Sequence, residues 1–163
     1  MKVRFRKMSL QEFEAFREYS TNDYMKDLMI DQNISSESAL KQAQTEFSDM
    51  LPEGINTKDN SLMMIEDENN EKTVGIIWYL YENTEGIKQV FLNDFMIYEE
   101  ERRKGYAMAA LSEMVHNAIE AGCRQSVIYV WKHNLAGVNL YTKCGYVPFR
   151  ELDDGMYMKK EIG

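Results

Sequence analysis

Arg102-Arg103-Lys104-Gly105-Tyr106-Ala107 stands between an apolar strand pattern, Gln89 to Tyr98, and an amphipathic helix pattern. The first amides of a helix have no carbonyl partner inside it, and successive amides in a glycine-containing turn form a concavity suited to a pyrophosphate. Gly105 permits close approach of a ligand, and Ala107 keeps the first helical turn slim. Arg102, Arg103 and Lys104 add local positive charge. Taken alone, the six residues equally describe a charged loop ahead of a glycine helix start. Their surroundings separate the two readings.

Beyond Gly105, Ala107, Ala110, Leu111, Met114, Val115 and Ala118 recur at helical spacing, and Gly122 is placed to end that helix. Ser126 to Trp131 then reads as a strand, Leu135 to Lys143 as a short helix stopped by Gly145, and Tyr146 to Leu152 and Met156 to Lys160 as a hairpin about Asp153-Asp154-Gly155. Upstream, Met1 to Arg6 alternates like a strand. Ser9-Leu10-Gln11-Glu12 has capping-box spacing, with Leu10, Phe13, Phe16 and Tyr19 following at helical intervals. A second helix starts near Ser35 or Ser36, carries Leu40, Ala43, Phe47 and Met50 on one face, and stops at Leu51-Pro52-Glu53-Gly54. Leu62 to Ile65 and Val74 to Tyr81 form a hairpin about Asp67-Glu68-Asn69-Asn70, and a turn at Asn83 to Gly86 adds the third strand. A meander followed by a strand–helix–strand crossover implies a mixed α/β sheet.

A chain of 163 residues, 44% hydrophobic and 28% charged with two prolines, is expected to fold as one globular domain spanning residues 1–163. Its 27 acidic and 19 basic side chains give a net charge of −8, which disfavours nucleic acid or an anionic membrane as partner and would suit a cationic substrate. The same charge also serves plain solubility. Cys123 and Cys144 have no metal-ligand spacing, and His116 and His133 are isolated, so no metal is expected. With no apolar run of about 18 residues and no signal-peptide pattern at the start, the cytoplasm is the expected location.

Arg102, Gly105 and Ala107 occupy the defining positions of [Gln/Arg]-x-x-Gly-x-[Gly/Ala], and the segment resembles motif A of the GNAT N-acetyltransferases. Asn134, Leu140, Tyr141, Gly145 and Tyr146 resemble that family's Asn-x-x-Ala-x-x-Leu-Tyr-x-x-x-Gly-Phe pattern, with Gly137 and Tyr146 replacing alanine and phenylalanine. The close match covers roughly residues 88 to 160; the first 87 agree only in element order. The resemblance implies the GNAT acyl-CoA N-acyltransferase fold, a central mixed sheet of about seven strands with four helices in the order β-α-α-β-β-β-α-β-α-β-β. It also implies acetyl-CoA as cosubstrate, an amine acceptor, and a possible homodimer.

By position, the resemblance places Phe95, Met96 and Ile97 along the pantetheine arm on a splayed strand end, with a β-bulge freeing an amide to polarise the thioester carbonyl. It places the pyrophosphate on the backbone of Arg103, Lys104, Gly105, Tyr106, Ala107 and Met108, beside Arg102. Asn134 is implied as a coenzyme A contact, and as the residue before Leu135 it also reads as a helix N-cap. Tyr141 would protonate the departing thiolate, since a phenol with a reference pKa of about 10 stays protonated at neutral pH; a core tyrosine is the alternative. The family's glutamate bases fall at Asn93 and Tyr129, neither an acid, which leaves Asp94 or a water relay. Trp78, Tyr79 and Tyr81 could flank an acceptor pocket or fill core. Cys144 would matter only through an acetyl-cysteine. A small-molecule amine, a protein N-terminus or lysine, and acyl-CoA sensing without turnover all fit these residues.

Overall fold

A computed structural model describes residues 1–163, which fall into two compact units. The first comprises Met1–Lys7 and Ser61–Gly163; the second, Met8–Asn60. The elements run β1 (Val3–Lys7), α1 (Leu10–Gln32), α2 (Ser36–Met50), β2 (Asn60–Asp67), β3 (Thr73–Thr84), β4 (Ile87–Ile97), α3 (Tyr106–Glu120), β5 (Gln125–Trp131), α4 (Leu135–Lys143), β6 (Val147–Glu151) and β7 (Gly155–Glu161), with single 3-10 turns at Gly54–Asn56 and Glu99–Glu101. This is the predicted order, with strand ends shifted by a few residues. The strands form one sheet, ordered β1-β2-β3-β4-β5-β7-β6, in which β4 and β5 run parallel.

In the second unit the Ser9 capping box forms as expected, with Glu12 N–H donating to Ser9 Oγ and Ser9 N–H to Glu12. The predicted stripe on α1 needs correction. Phe13 and Phe16 are buried, but Leu10 is 70% exposed and Tyr19 is on the surface, and the helix runs on to Gln32. Leu28 continues the stripe, packed with Ala39 and Ala43 of α2 beside Tyr24, Met25 and Met29. On α2, Ala39, Ala43 and Phe47 face inward, while Met50 is exposed.

In the first unit the core joins one face of the sheet to α3 and α4. Ile77 and Tyr79 of β3, Val90 and Leu92 of β4, and Ile128 and Val130 of β5 pack with Ala110, Leu111, Met114 and Ala118 of α3, and Val138, Leu140 and Tyr141 of α4 adjoin them. Each fully buried Leu, Ile or Met stabilises by about 1.5–3 kcal/mol before conformational entropy is subtracted. Gly122, at φ 89°, ends α3 as predicted.

Two features of this unit position the site. The Trp78↔Asp94 and Tyr79↔Leu92 pairs leave Asn93 as an extra residue in β4, a β-bulge. The core face carried by Val90 and Leu92 therefore resumes at Phe95 and Ile97, shifted by one. Beside the bulge, the parallel pairing of β4 with β5 stops at Leu92↔Ile128, although β4 continues to Ile97 and β5 to Trp131. The sheet opens there into a splay.

Candidate active site

One wall of the splay is the β4 edge from Asn93 to Ile97. Tyr98 N–H bonds the Val74 carbonyl on β3, so strand alternation turns the Phe95 and Ile97 amides toward β5. Phe95 N–H donates to Asp94 Oδ1 at 2.8 Å, which draws the carboxylate onto that edge. The Ile97 carbonyl accepts from Arg102 Nε at 3.0 Å. Arg102 thus closes the outer end of the edge through its side chain, a use that motif spacing did not suggest. Phe95, Met96 and Ile97 line the opening as expected, and the bulge is where the resemblance implied one.

Beyond Ile97 the chain turns through Glu99–Glu101 into α3. Arg103 (φ 61°) and Gly105 (φ 90°, the N-cap of α3) are both in the left-handed region. A side chain built on Gly105 would meet nothing within 4 Å. The Tyr106, Ala107 and Met108 amides donate to no backbone carbonyl, and no side chain caps the helix. Ser9, Ser35 and Asn134 cap α1, α2 and α4. Since a cap is worth about 1 kcal/mol, α3 forgoes that stabilisation at the turn suited to an anion.

The cations of this loop are not equivalent. Lys104 Nζ binds the buried Glu101 carboxylate at 3.1 Å, and Lys72 binds the other oxygen of the same group. These two lysines, Lys72 first, hold the Glu101 carboxyl below its ordinary range. Lys104 is therefore tethered to Glu101, and with two lysines on one carboxylate the cluster keeps a net positive charge. The Arg103 guanidinium is exposed and makes no ion pair. The Tyr106 side chain points away from the turn, its buried hydroxyl donating to Asp67 Oδ2 at 2.5 Å, so only its backbone remains at the site. Asp67 and Lys72 fix the loop from afar, and no sequence spacing marks them.

On the other side lies α4. Asn134 is its N-cap, with Oδ1 accepting from Gly137 N–H at 3.0 Å. A Cβ on Gly137 would lie 2.6 Å from Asn134 Nδ2, which explains glycine where the motif has alanine. The Tyr141 ring packs edge-on to Tyr146 at 6.0 Å, and its hydroxyl bonds no atom of the chain. Burial, then Tyr146 and the Asp94 charge, push the Tyr141 phenol well above its usual range. Tyr146 is anchored by a 2.6 Å hydrogen bond between its hydroxyl and Ser126 Oγ on β5.

Two alternatives that the sequence left open narrow. Trp78 and Tyr79 are buried, and Tyr79 and Tyr81 belong to the core side with α3, so they do not present open faces to an acceptor. Burial raises the Cys144 thiol, which disfavours a thiolate nucleophile.

Burial pushes Tyr81 and Tyr146 up to about 12, and the Asp67 hydrogen bond does the same for Tyr106. Folded phenols therefore keep protons that the unfolded chain releases near pH 10, so stability falls as pH rises from about 10 to 12. Absorbance at about 295 nm should show native tyrosines ionising later than denatured ones. Coincident titrations would contradict these environments.

Residues 15–146 match the family model of the acetyltransferase (GNAT) family. The chain belongs to that family. This GNAT chain is 30% identical over 159 residues to the uncharacterized N-acetyltransferase YycN of Bacillus subtilis strain 168, covering 98% of this chain and 99% of the relative. The crystal structure of YycN superimposes with a TM-score of 0.82 at 28% identity, covering 93% and 94% of the two chains. The paia N-acetyltransferase of Thermoplasma acidophilum, in complex with coenzyme A, shares the fold with a TM-score of 0.72 at 17% identity over 99% of each chain. The spermidine N-acetyltransferase of Vibrio cholerae, in complex with coenzyme A and spermine, does so with a TM-score of 0.69 at 14% identity over 99% and 96%. The GNAT fold, seven strands and four helices, is as the motifs implied.

Proposed function

We propose that this GNAT chain, acting as one catalytic domain, transfers an acetyl group from acetyl-CoA directly to the primary amine of a small molecule. The observation that carries this is the juxtaposition of the uncapped α3 turn after Gly105 with the bulged, splayed β4 edge and Tyr141. The backbone of Arg103 to Met108, with the Arg103 side chain, suits a pyrophosphate, and the Phe95 to Ile97 edge suits an amide-bearing arm. Asn134 Nδ2 remains available to the coenzyme while Oδ1 caps α4. The coenzyme A complex of the paia relative supports this choice of cosubstrate.

Bound acetyl-CoA supplies an activated thioester. Tyr141 holds a proton at its phenol oxygen for the departing sulfur, and its raised pKa keeps that proton in place at every physiological pH. Asp94, held on the β4 edge by the Phe95 amide, is the carboxylate proposed to accept the ammonium proton, directly or through water. The raised Cys144 thiol favours direct transfer over an acetyl-cysteine.

Thiol release from acetyl-CoA, measured across small amines, peptides with free N-termini and lysine peptides, tests this. Turnover with small amines is expected. Turnover with peptides alone would favour protein acetylation, and coenzyme binding without release would favour an acyl-CoA sensor.

A further inference from the structure

Three acidic side chains are buried, Glu66, Asp67 and Glu101, and the last two bracket the turn that leads into α3. Burying a carboxylate is unfavourable unless hydrogen bonds or counter-charges satisfy it, so each marks a contact on which the fold depends. Glu66 lies between Arg4 and Arg6 and ties β2 to β1. Asp67 and Glu101 reach the site instead. Asp67 Oδ1 accepts the Asn69 amide at 2.8 Å, while Oδ2 accepts the Tyr106 hydroxyl at 2.5 Å, at the first position of α3. Glu101, just ahead of Arg102, gives one oxygen to Lys104 of its own loop and the other to Lys72.

Asp67 and Lys72 are the two ends of one closed turn between β2 and β3. Asp67 N–H donates to the Lys72 carbonyl at 2.8 Å, Glu71 N–H to the Asp67 carbonyl at 2.9 Å, and Lys72 N–H to Asn70 Oδ1 at 2.9 Å. Glu68 N–H fastens the turn to β1 through the Lys2 carbonyl at 3.1 Å. This turn therefore holds the chain on both sides of residues 102–105, through Glu101 before them and Tyr106 after them. The held segment has little to fix it from within: Arg103 and Gly105 are in the left-handed region, and the first α3 amides have neither a carbonyl nor a capping side chain. Both carboxylates are buried, anionic and engaged at each oxygen, so neither suits a direct contact with the anionic coenzyme.

We infer that the β2–β3 turn braces the coenzyme site: Asp67, Lys72 and Glu101 are positioning residues that raise coenzyme affinity by holding residues 102–105 in the shape that accepts the pyrophosphate, without touching it. Binding to a turn already in shape avoids the entropy of ordering it. This rests on the acetyl-CoA reading above, but its test needs binding rather than turnover. Linkage makes the effect reciprocal, so bound coenzyme steadies the β2–β3 turn by the factor that the turn adds to coenzyme affinity.

Coenzyme A is titrated by calorimetry, well below the melting temperature, into the protein and its Glu101→Gln, Tyr106→Phe and Glu71→Gln variants. Glu101→Gln keeps the side-chain shape, releases Lys72 and Lys104 and makes the site more positive. Charge alone would tighten coenzyme binding, whereas loss of the brace should weaken it by about 3- to 30-fold, so the sign decides. Tyr106→Phe removes one buried hydroxyl and should weaken binding by a similar factor. Glu71→Gln takes a charge from the same turn at its exposed Arg4 pair and should leave affinity unchanged. In thiol release the losses should fall on the KM for acetyl-CoA, with kcat at saturation within about twofold. Amide exchange at residues 68–72 should slow when coenzyme A binds the unsubstituted protein, and slow less in Tyr106→Phe. Equal or tighter binding in Glu101→Gln would overturn the inference, as would unchanged affinity in a folded Tyr106→Phe protein. No coenzyme binding by the unsubstituted protein would remove the acetyl-CoA reading and the brace with it. Binding that depends on the brace without thiol release from any amine would sink catalysis alone and leave the brace standing.

Discussion

Tyr141→Phe is expected to lower kcat by about 100- to 10,000-fold, the usual contribution of a positioned general acid, while leaving the affinity for acetyl-CoA nearly unchanged. The geometry makes this a clean test. The Tyr141 hydroxyl bonds nothing in the chain, so its removal breaks no internal hydrogen bond, and the ring keeps its edge-on contact with Tyr146. Melting temperature should hardly change. In the proposed mechanism, the departing thiolate of coenzyme A is the partner of this phenol. If thiol release at saturating acetyl-CoA and a good amine gave nearly equal kcat for both proteins, Tyr141 would be a packing residue only.

Gly105→Val should abolish measurable coenzyme binding or weaken it by at least about 100-fold, because a β-branched side chain would fill open space at the start of α3, where the pyrophosphate is proposed to sit. Gly105 has φ 90°, however, so valine also introduces about 1–2 kcal/mol of backbone strain. Gly122 supplies the control. It has φ 89°, has equally open surroundings, and lies at the other end of α3. Gly122→Val should lower the melting temperature about as much as Gly105→Val while leaving coenzyme affinity intact. Calorimetry on both variants separates strain from occlusion. Equal affinity for coenzyme A in a folded Gly105→Val protein would place the pyrophosphate elsewhere.

Much of the fold was legible because its signals are local. Ser9 with Glu12, Ser35, Gly122 and Gly145 mark helix ends through capping or left-handed geometry fixed within a few residues. The α1 stripe was misread where it rested on Leu10 and Tyr19, since a helix of low amphipathicity leaves periodicity little to detect, and burial is then decided by the partner helix. At the site, the motif located the α3 turn but not the side-chain roles around it. Lys104 is claimed by Glu101, Arg102 by the Ile97 carbonyl, and the Tyr106 hydroxyl by Asp67, partners up to 39 positions away. The Tyr106–Asp67 pairing exists only once the sheet has formed, and the two local ones depend on the fold of the turn itself. The bulge at Asn93 is intermediate: the step from Leu92 to Phe95 in the apolar pattern hints at it, but register fixes it.

The most direct test of acetyl transfer follows both products and the enzyme together. The chain is incubated with acetyl-CoA and a competent primary amine, free coenzyme A thiol and N-acetylated amine are quantified, and the intact protein mass is recorded before and after amine addition. The expected result is one N-acetylated amine per thiol released, with the protein mass unchanged throughout. Coenzyme A bound without any thiol released across the amine panel would contradict catalysis, and an acetyl group held on Cys144 until amine arrives would contradict direct transfer.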